Sequence, residues 1–238
     1  MHNESTTASV PPALAFPDVG FSTGALHFTD PLVGVAATRR LGSGTIELSA
    51  LHEDELTAVE ATSAGSDVDG FLRVSIHGPA IGRILPESQL VDRLAATGRD
   101  VVMHPDTLLD WSLWEALGPR LLIENMDQRK SFGQTPLDLD RVFAALPQAR
   151  FCLDVSHALS AGDLPLVIGL AEQYADRLAE LHVGCACGRD CDEIYEPDLV
   201  GATQLVWSIA GRQVPLILER KTVADDTTLA AQLAAFTR

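Results

Sequence analysis

RLLIENMD (residues 120–127) and RFCLDVSH (residues 150–157) share one build: an Arg, three apolar residues, then an acid, Glu124 in the first and Asp154 in the second. An apolar run this short, with no polar alternation, reads as a strand buried on both faces, as in a parallel sheet. The build recurs along the chain. AELHVG (179–184) and VPLILERK (214–221) follow it towards the C-terminus, and GFSTGAL (20–26), TIELSAL (45–51), FLRVSIHG (71–78) and DVVMHPD (100–106) precede it. The stretches between have helical spacing and recognisable starts, as in PESQLVDRLAATG (86–98), TPLDLDRVFAAL (135–146) and PDLVGATQLVWSIAG (197–211). Eight strands alternating with helices demand parallel pairing, because parallel neighbours need crossover connections. The expected fold is therefore α/β, a single (β/α)8 barrel over residues 19–238, with an open doubly wound sheet as the alternative.

The chain's 238 residues suit one such barrel, and a hydrophobic content of 46% provides a large core without disulfides. No run of 18 apolar residues is present to span a membrane. Residues 1–18, polar and then Pro-rich, lack the basic start and apolar block of a secretory signal and read as a flexible tail or strap. With no such signal, the four cysteines fit a reducing cytoplasm better than structural disulfides. The formal net charge is −16, which argues against nucleic acid as a partner, since Lys and Arg supply most of that affinity.

Polar side chains inside apolar strands carry the functional signal, because burying them unpaired is costly. They fall near the C-terminal ends of successive strands: Glu47, His77, His104, Glu124, Asp154 with His157, His182 and Glu219. Active sites of (β/α) barrels form at that end, so these residues are expected to converge. Taken singly, each would pass as a hydrogen-bonded structural group; their recurrence on consecutive strands points to a divalent-metal site. Glu124, Asp154, His182 and Glu219 make a set of three carboxylates and one imidazole, suited to Mn, Mg or Co. Adding His77, His104 and His157 favours Zn or Fe and makes room for one to three ions.

IENMD (123–127), CLDVSH (152–157), ELHVG (180–184) and ILERK (217–221) resemble the xylose isomerase-like TIM-barrel superfamily, over roughly residues 71–221. That group includes sugar isomerases and epimerases and the endonuclease IV group of AP endonucleases. Resemblance to the ketose epimerases implies one metal on Glu124, Asp154, His182 and Glu219. It also implies that Glu124 and Glu219 act as the acid/base pair and that His157 contacts substrate. After His182 the sequence departs from that branch, with Cys185 at the acidic position and Arg189 one place late. Resemblance to the endonuclease IV branch implies further ions on His77 and His104, but Asp190-Cys191-Asp192 stands where that branch has an Asp-x-His pair. Oxygenases with two or three iron ions share the layout.

Cys185, Cys187 and Cys191 crowd the loop after His182 without the paired CxxC spacing of a structural zinc site. They read either as loop thiols or as a soft ligand or redox pair beside the metal. Alternation points Cys152 into the barrel beneath Asp154, as a small buried hydrophobe. Arg129, Lys130, Arg189, Arg220 and Lys221 near the rim are either solvated charges or anchors for a substrate phosphate or carboxylate, with Arg189 and Lys221 the substrate-binding candidates. Trp111 and Trp114 read as packing residues. The leading functional expectation is a metal-dependent isomerase or epimerase of a sugar or sugar phosphate, acting by proton transfer beside a metal-bound carbonyl. A multinuclear phosphodiesterase, hydrolase or iron oxidase is the alternative, and a non-catalytic ligand-binding barrel a third. Barrels of this kind often associate, so a homo-oligomer is also expected.

Overall fold

A computed structural model describes residues 16–26, 30–184, 197–211, 214–221 and 225–236. Among these, eight parallel strands close into a barrel in sequence order. They are β1 (Phe16–Ser22), β2 (Ser43–Ser49), β3 (Arg73–His77), β4 (Asp100–Met103), β5 (Leu121–Glu124), β6 (Arg150–Asp154), β7 (Leu178–Val183) and β8 (Leu216–Leu218). The ring is completed by β8 pairing with β1. Around it lie α1 (Thr23–Leu26), α2 (Pro31–Arg40), α3 (Leu56–Ala64), α4 (Glu87–Ala96), α5 (Trp111–Trp114), α6 (Pro136–Ala145), α7 (Val155–Gln173), α8 (Pro197–Ala210) and α9 (Asp226–Phe236). No helix of the described residues is long and apolar enough to cross a membrane.

Local chemistry explains where the helices start. Asp30 accepts from the Leu32 amide ahead of Pro31, which needs no partner at the first helical position. Thr135 and Asp138 cap each other reciprocally at the start of α6, again with Pro at the first position. Between β4 and β5 the helix is reduced to the four residues of α5 followed by 3-10 turns. Trp114 is buried there and donates its indole N–H to Glu87 at the start of α4, while Trp111 stacks on Phe132. Both tryptophans therefore pack as the sequence suggests.

The first strand departs from expectation. It runs from Phe16 to Ser22 instead of over 20–26, and Thr23–Leu26 form a helical turn. Residues 16–18 of the expected tail thus belong to the barrel, while residues 1–15 lie outside the described residues. Pro17 and Gly20 disguise the strand, and its register with β2 skips between Phe16 and Gly20.

Two separate apolar regions result from the pleat. The large core lies between strands and helices and contains Phe21, Ile46, Leu48, Ile76, Met103, Ile123, Leu153 and Leu181. Val102, Leu122 and Cys152 form a small second cluster. Two residues further along their strands, in the same alternation phase, Leu122 and Cys152 are followed by Glu124 and Asp154. This cluster is therefore the apolar plug inside the barrel, and Cys152 sits in it fully buried, beneath the carboxylates.

Gly20 is where this closure is tightest: a Cβ there would stand 1.8 Å from the Thr45 carbonyl oxygen of β2. Gly20→Val is expected to lower the free energy of unfolding by about 3 kcal/mol or more, as overpacking does where backbone cannot yield. Gly169, within α7, has open space around its Cα. Gly169→Ala should instead stabilise by about 0.5–1 kcal/mol. Urea denaturation of the two variants checks both signs.

Candidate metal centre

The strand ends are fastened to one another before any charged group is considered. Asn125, just after β5, donates from its amide to the Asp154 carbonyl (3.0 Å) and accepts from the Asp154 amide (2.9 Å), tying β5 to β6. Ser156 does the same for β6 and β7, donating to the Gly184 carbonyl (3.1 Å) and accepting from the Gly184 amide (2.9 Å). The Glu219 amide donates to the Val183 carbonyl (2.9 Å), fixing the end of β8. These clamps hold the functional side chains at set positions on a rigid frame.

Asp154 is also the N-cap of α7. Its Oδ1 accepts from the His157 amide (2.8 Å), which leaves Oδ2 turned to the interior. That is why an acid and a His three residues later work together: the cap carboxylate and the first helical turn face one place.

Glu124 is the hub. It is fully buried, and its two oxygens face two different groups of imidazoles. Oε2 lies 3.2 Å from His77 Nε2 and 3.1 Å from His104 Nε2. Oε1 lies 3.2 Å from His157 Nδ1 and 3.8 Å from His182 Nδ1. Burial alone would raise this carboxyl, but His104, His157 and His182 outweigh it and hold it well below the usual carboxylate range. The imidazoles respond in kind. Burial opposes charging His77 and His157, yet the neighbouring carboxylates push them up to about 9 and about 10. His104 goes the other way, its burial prevailing over Glu124. Glu219, at the rim with its side chain 22% exposed, is pushed up to about 8 by burial, with Glu47 and Glu124 adding to the shift.

Glu124 Oε1, Asp154 Oδ2 and His182 Nδ1 are buried atoms with no hydrogen-bond partner. Glu219 Oε1 lies 3.4 Å from that same His182 nitrogen. Ligand atoms around an ion bound at about 2.1 Å sit roughly 3 Å apart, and His182 Nδ1 is within a small shift of that spacing from Glu219 (3.4 Å) and Glu124 (3.8 Å). The residues present fit a metal. Among the described residues the compact groups are His77, His104 and Glu124; Cys152, Glu180 and His182; Glu47, His182 and Glu219; and Glu124, Asp154 and His157. His157 fits the last of these poorly, because its Nδ1 donates to the Asn125 carbonyl (3.0 Å) and its free nitrogen, Nε2, faces Asp127 (3.9 Å) instead.

The structure thus brings all seven expected metal-ligating residues to one end of the barrel. Lys221 is exposed just beyond the buried Arg220. Arg129 pairs with Asp127, and Lys130 with Asp106 at 2.7 Å. Arg189, Cys185, Cys187, Cys191, Asp190 and Asp192 lie outside the described residues. The sequence gives no role to Asn125, Asp127, Ser156 or Glu180, and counts Glu47 among the converging strand-end residues without making it a ligand. Strand alternation marks Glu47 and Glu180 as inward-facing, but the clamping residues depend on register between strands and left no such signal.

No protein-family model matches the sequence, and no curated protein is significantly similar to it. Solved structures do match it in fold. An L-ribulose 3-epimerase aligns with a TM-score of 0.65 at 16% identity, covering 92% of this chain and 92% of that one. A D-allulose 3-epimerase from Methylomonas sp., in complex with D-allulose, aligns at 0.63 and 15%, covering 94% and 98%. The 3-keto-D-glucoside 4-epimerase from E. coli aligns at 0.62 and 14%, covering 92% and 98%. These likenesses, all at 16% identity or below, show the fold alone: a closed (β/α)8 barrel of the kind those epimerases have.

His77, His157 and Glu219 all have folded-state pKa values above their ordinary values of 6.5, 6.5 and 4.5. Each therefore stabilises the metal-free fold fully below its ordinary value, and that contribution is lost as pH rises through about 8, 9 and 10. The thermal midpoint of chelator-treated protein should fall as pH rises across this range. The increase in midpoint produced by a divalent ion should grow over the same range, because binding requires neutral imidazoles and ionised carboxylates. Calorimetry with and without the ion tests this; a metal-free midpoint that rises with pH would contradict it.

Proposed function

We propose that this chain is a divalent-metal-dependent isomerase or epimerase of a sugar or sugar phosphate. The observation behind this reading is that Glu124, Asp154 and His182 each keep a buried atom without a hydrogen-bond partner at the strand ends, with the accessible carboxyl of Glu219 3.4 Å from that of His182. The fold shared with solved ketose epimerases supports it. An ion held by these four residues would polarise a substrate carbonyl and offset the charge that develops as a neighbouring C–H proton leaves.

The chain's own groups supply the rest. Glu219, raised to about 8, can give or take a proton near neutral pH, as general acid/base work requires. Glu124, kept ionised by the imidazoles around it, is the candidate base of the pair, and His77 and His104 lie on its Oε2 where they can pass a proton onward. His157, with Nε2 free of the clamp and its side chain 21% exposed, is placed to orient substrate. Neutral sugar hydroxyls suit a mouth where Arg129 and Lys130 already pair with carboxylates.

One observation favours a second reading. His77 and His104 approach the same oxygen of Glu124, so the pair could ligate a second ion with Glu124 as the bridge. Two-ion sites serve hydrolysis of phosphoesters, and with iron they serve oxidation.

Elemental analysis of chelator-free protein, together with ketopentoses and ketohexoses incubated in deuterium oxide, separates the readings. The isomerase reading predicts one ion per chain and metal-dependent deuterium incorporation next to the ketone. It also predicts a loss of about 100-fold or more in turnover for Glu219→Gln. Two ions per chain without exchange, one of them lost in His104→Ala, would establish the second reading. A folded barrel that binds no divalent ion would defeat both.

A further inference from the structure

His182 is fully buried, and its two ring nitrogens face opposite ways. Nδ1 is the partnerless atom turned towards Glu124 and Glu219. On the other side, Nε2 meets two carboxylates inside the barrel. Glu180 Oε1 lies 3.1 Å away in hydrogen-bond geometry, and Glu47 Oε2 lies 3.2 Å away. Glu180 is itself held from across the barrel, where Ser75 of β3 donates its hydroxyl to the same Oε1 (3.1 Å). Both carboxylates are buried, at 4% and 0% exposed, and neither Glu47 oxygen has a hydrogen-bond partner. Two acids in so apolar a place are costly to keep unless they serve something.

We propose that Glu180 and Glu47 are positioning residues for His182. Resting on the metal reading above, they hold its N–H on Nε2, facing inward, so that the Nδ1 lone pair is presented to the ion. A neutral imidazole has one N–H and one lone pair, and whichever nitrogen meets an acceptor keeps the proton. Here the acceptor in hydrogen-bond geometry, Glu180, is on the Nε2 side with Glu47 beside it, while the carboxylates on the Nδ1 side, Glu219 and Glu124, stand further off at 3.4 and 3.8 Å and are the proposed fellow ligands. The carboxylates thereby select the tautomer and lock the ring, as outer partners of metal-bound histidines commonly do. Glu180 makes the bond, and Glu47 flanks it closely enough to replace it.

Because either acid can stand in for the other, the decisive variant is the double one. Zinc affinity, measured by chelator competition, should fall about 10–100-fold in Glu47→Leu/Glu180→Leu, the range seen when such partners are removed. It should be largely recovered in Glu47→Gln/Glu180→Gln, whose amide oxygens still accept. In zinc-loaded wild-type protein with 15N-labelled histidine, NMR should show the His182 proton on Nε2 and a metal-bound Nδ1. This second measurement stands even if the leucine variant does not fold. Zinc on Nε2, or a folded leucine variant that binds as tightly as wild type, would overturn the positioning role while leaving the metal site intact. Wild-type protein that binds no zinc would instead defeat the metal reading and this proposal together.

Discussion

A single carboxylate, Glu124, sits fully buried at the mouth of the barrel with four imidazoles within reach of its two oxygens. Much of the upper barrel can be understood as what is required to keep that arrangement in place. An ionised group taken out of water loses several kcal/mol of hydration, which only close partners can offset. The barrel meets the requirement by bringing the ends of several strands to one place, so that residues distant in sequence become neighbours. The Asn125 and Ser156 clamps then remove the freedom of the strand ends to drift apart.

The same cluster divides into layers along the barrel axis. Inside the barrel, the apolar Val102, Leu122 and Cys152 share the lower part with Ser75, Glu180 and Glu47, and Glu180 and Glu47 face the inner nitrogen of His182. Highest are the candidate ligands, with Glu219 and His157 open to the mouth. Exposure therefore increases in the direction in which substrate would arrive, and the groups best placed to touch it are also the most accessible. The buried polar layers contribute little to stability alone, and their value lies in fixing the geometry above them.

Much of this was legible in the sequence, for a physical reason. Apolar runs ending in Glu, Asp or His cannot be ordinary surface strands, so RLLIENMD and RFCLDVSH point to both the parallel sheet and the site. The strand that was misplaced, β1, carries Pro17, which reads as part of a Pro-rich tail, and Gly20, which reads as the start of the strand. In the closed barrel the proline falls where the register with β2 skips, and the glycine where backbones crowd. Glu180 was visible as inward-facing, but its bond to Ser75 spans the barrel from β7 to β3 and depends on closure and stagger. Likewise, nothing in the spacing of Asp154 and His157 reveals that the Asn125 carbonyl accepts a hydrogen bond from His157 Nδ1 and leaves the other nitrogen to face Asp127.

We propose that Glu124, Asp154, His182 and Glu219 together hold a divalent ion. Crystals grown with Mn2+ and measured on both sides of the manganese absorption edge test it most directly. An anomalous peak is expected within bonding distance, about 2.2 Å, of Glu124 Oε1, Asp154 Oδ2, His182 Nδ1 and Glu219. A well-ordered barrel with no anomalous density among those four side chains would contradict it.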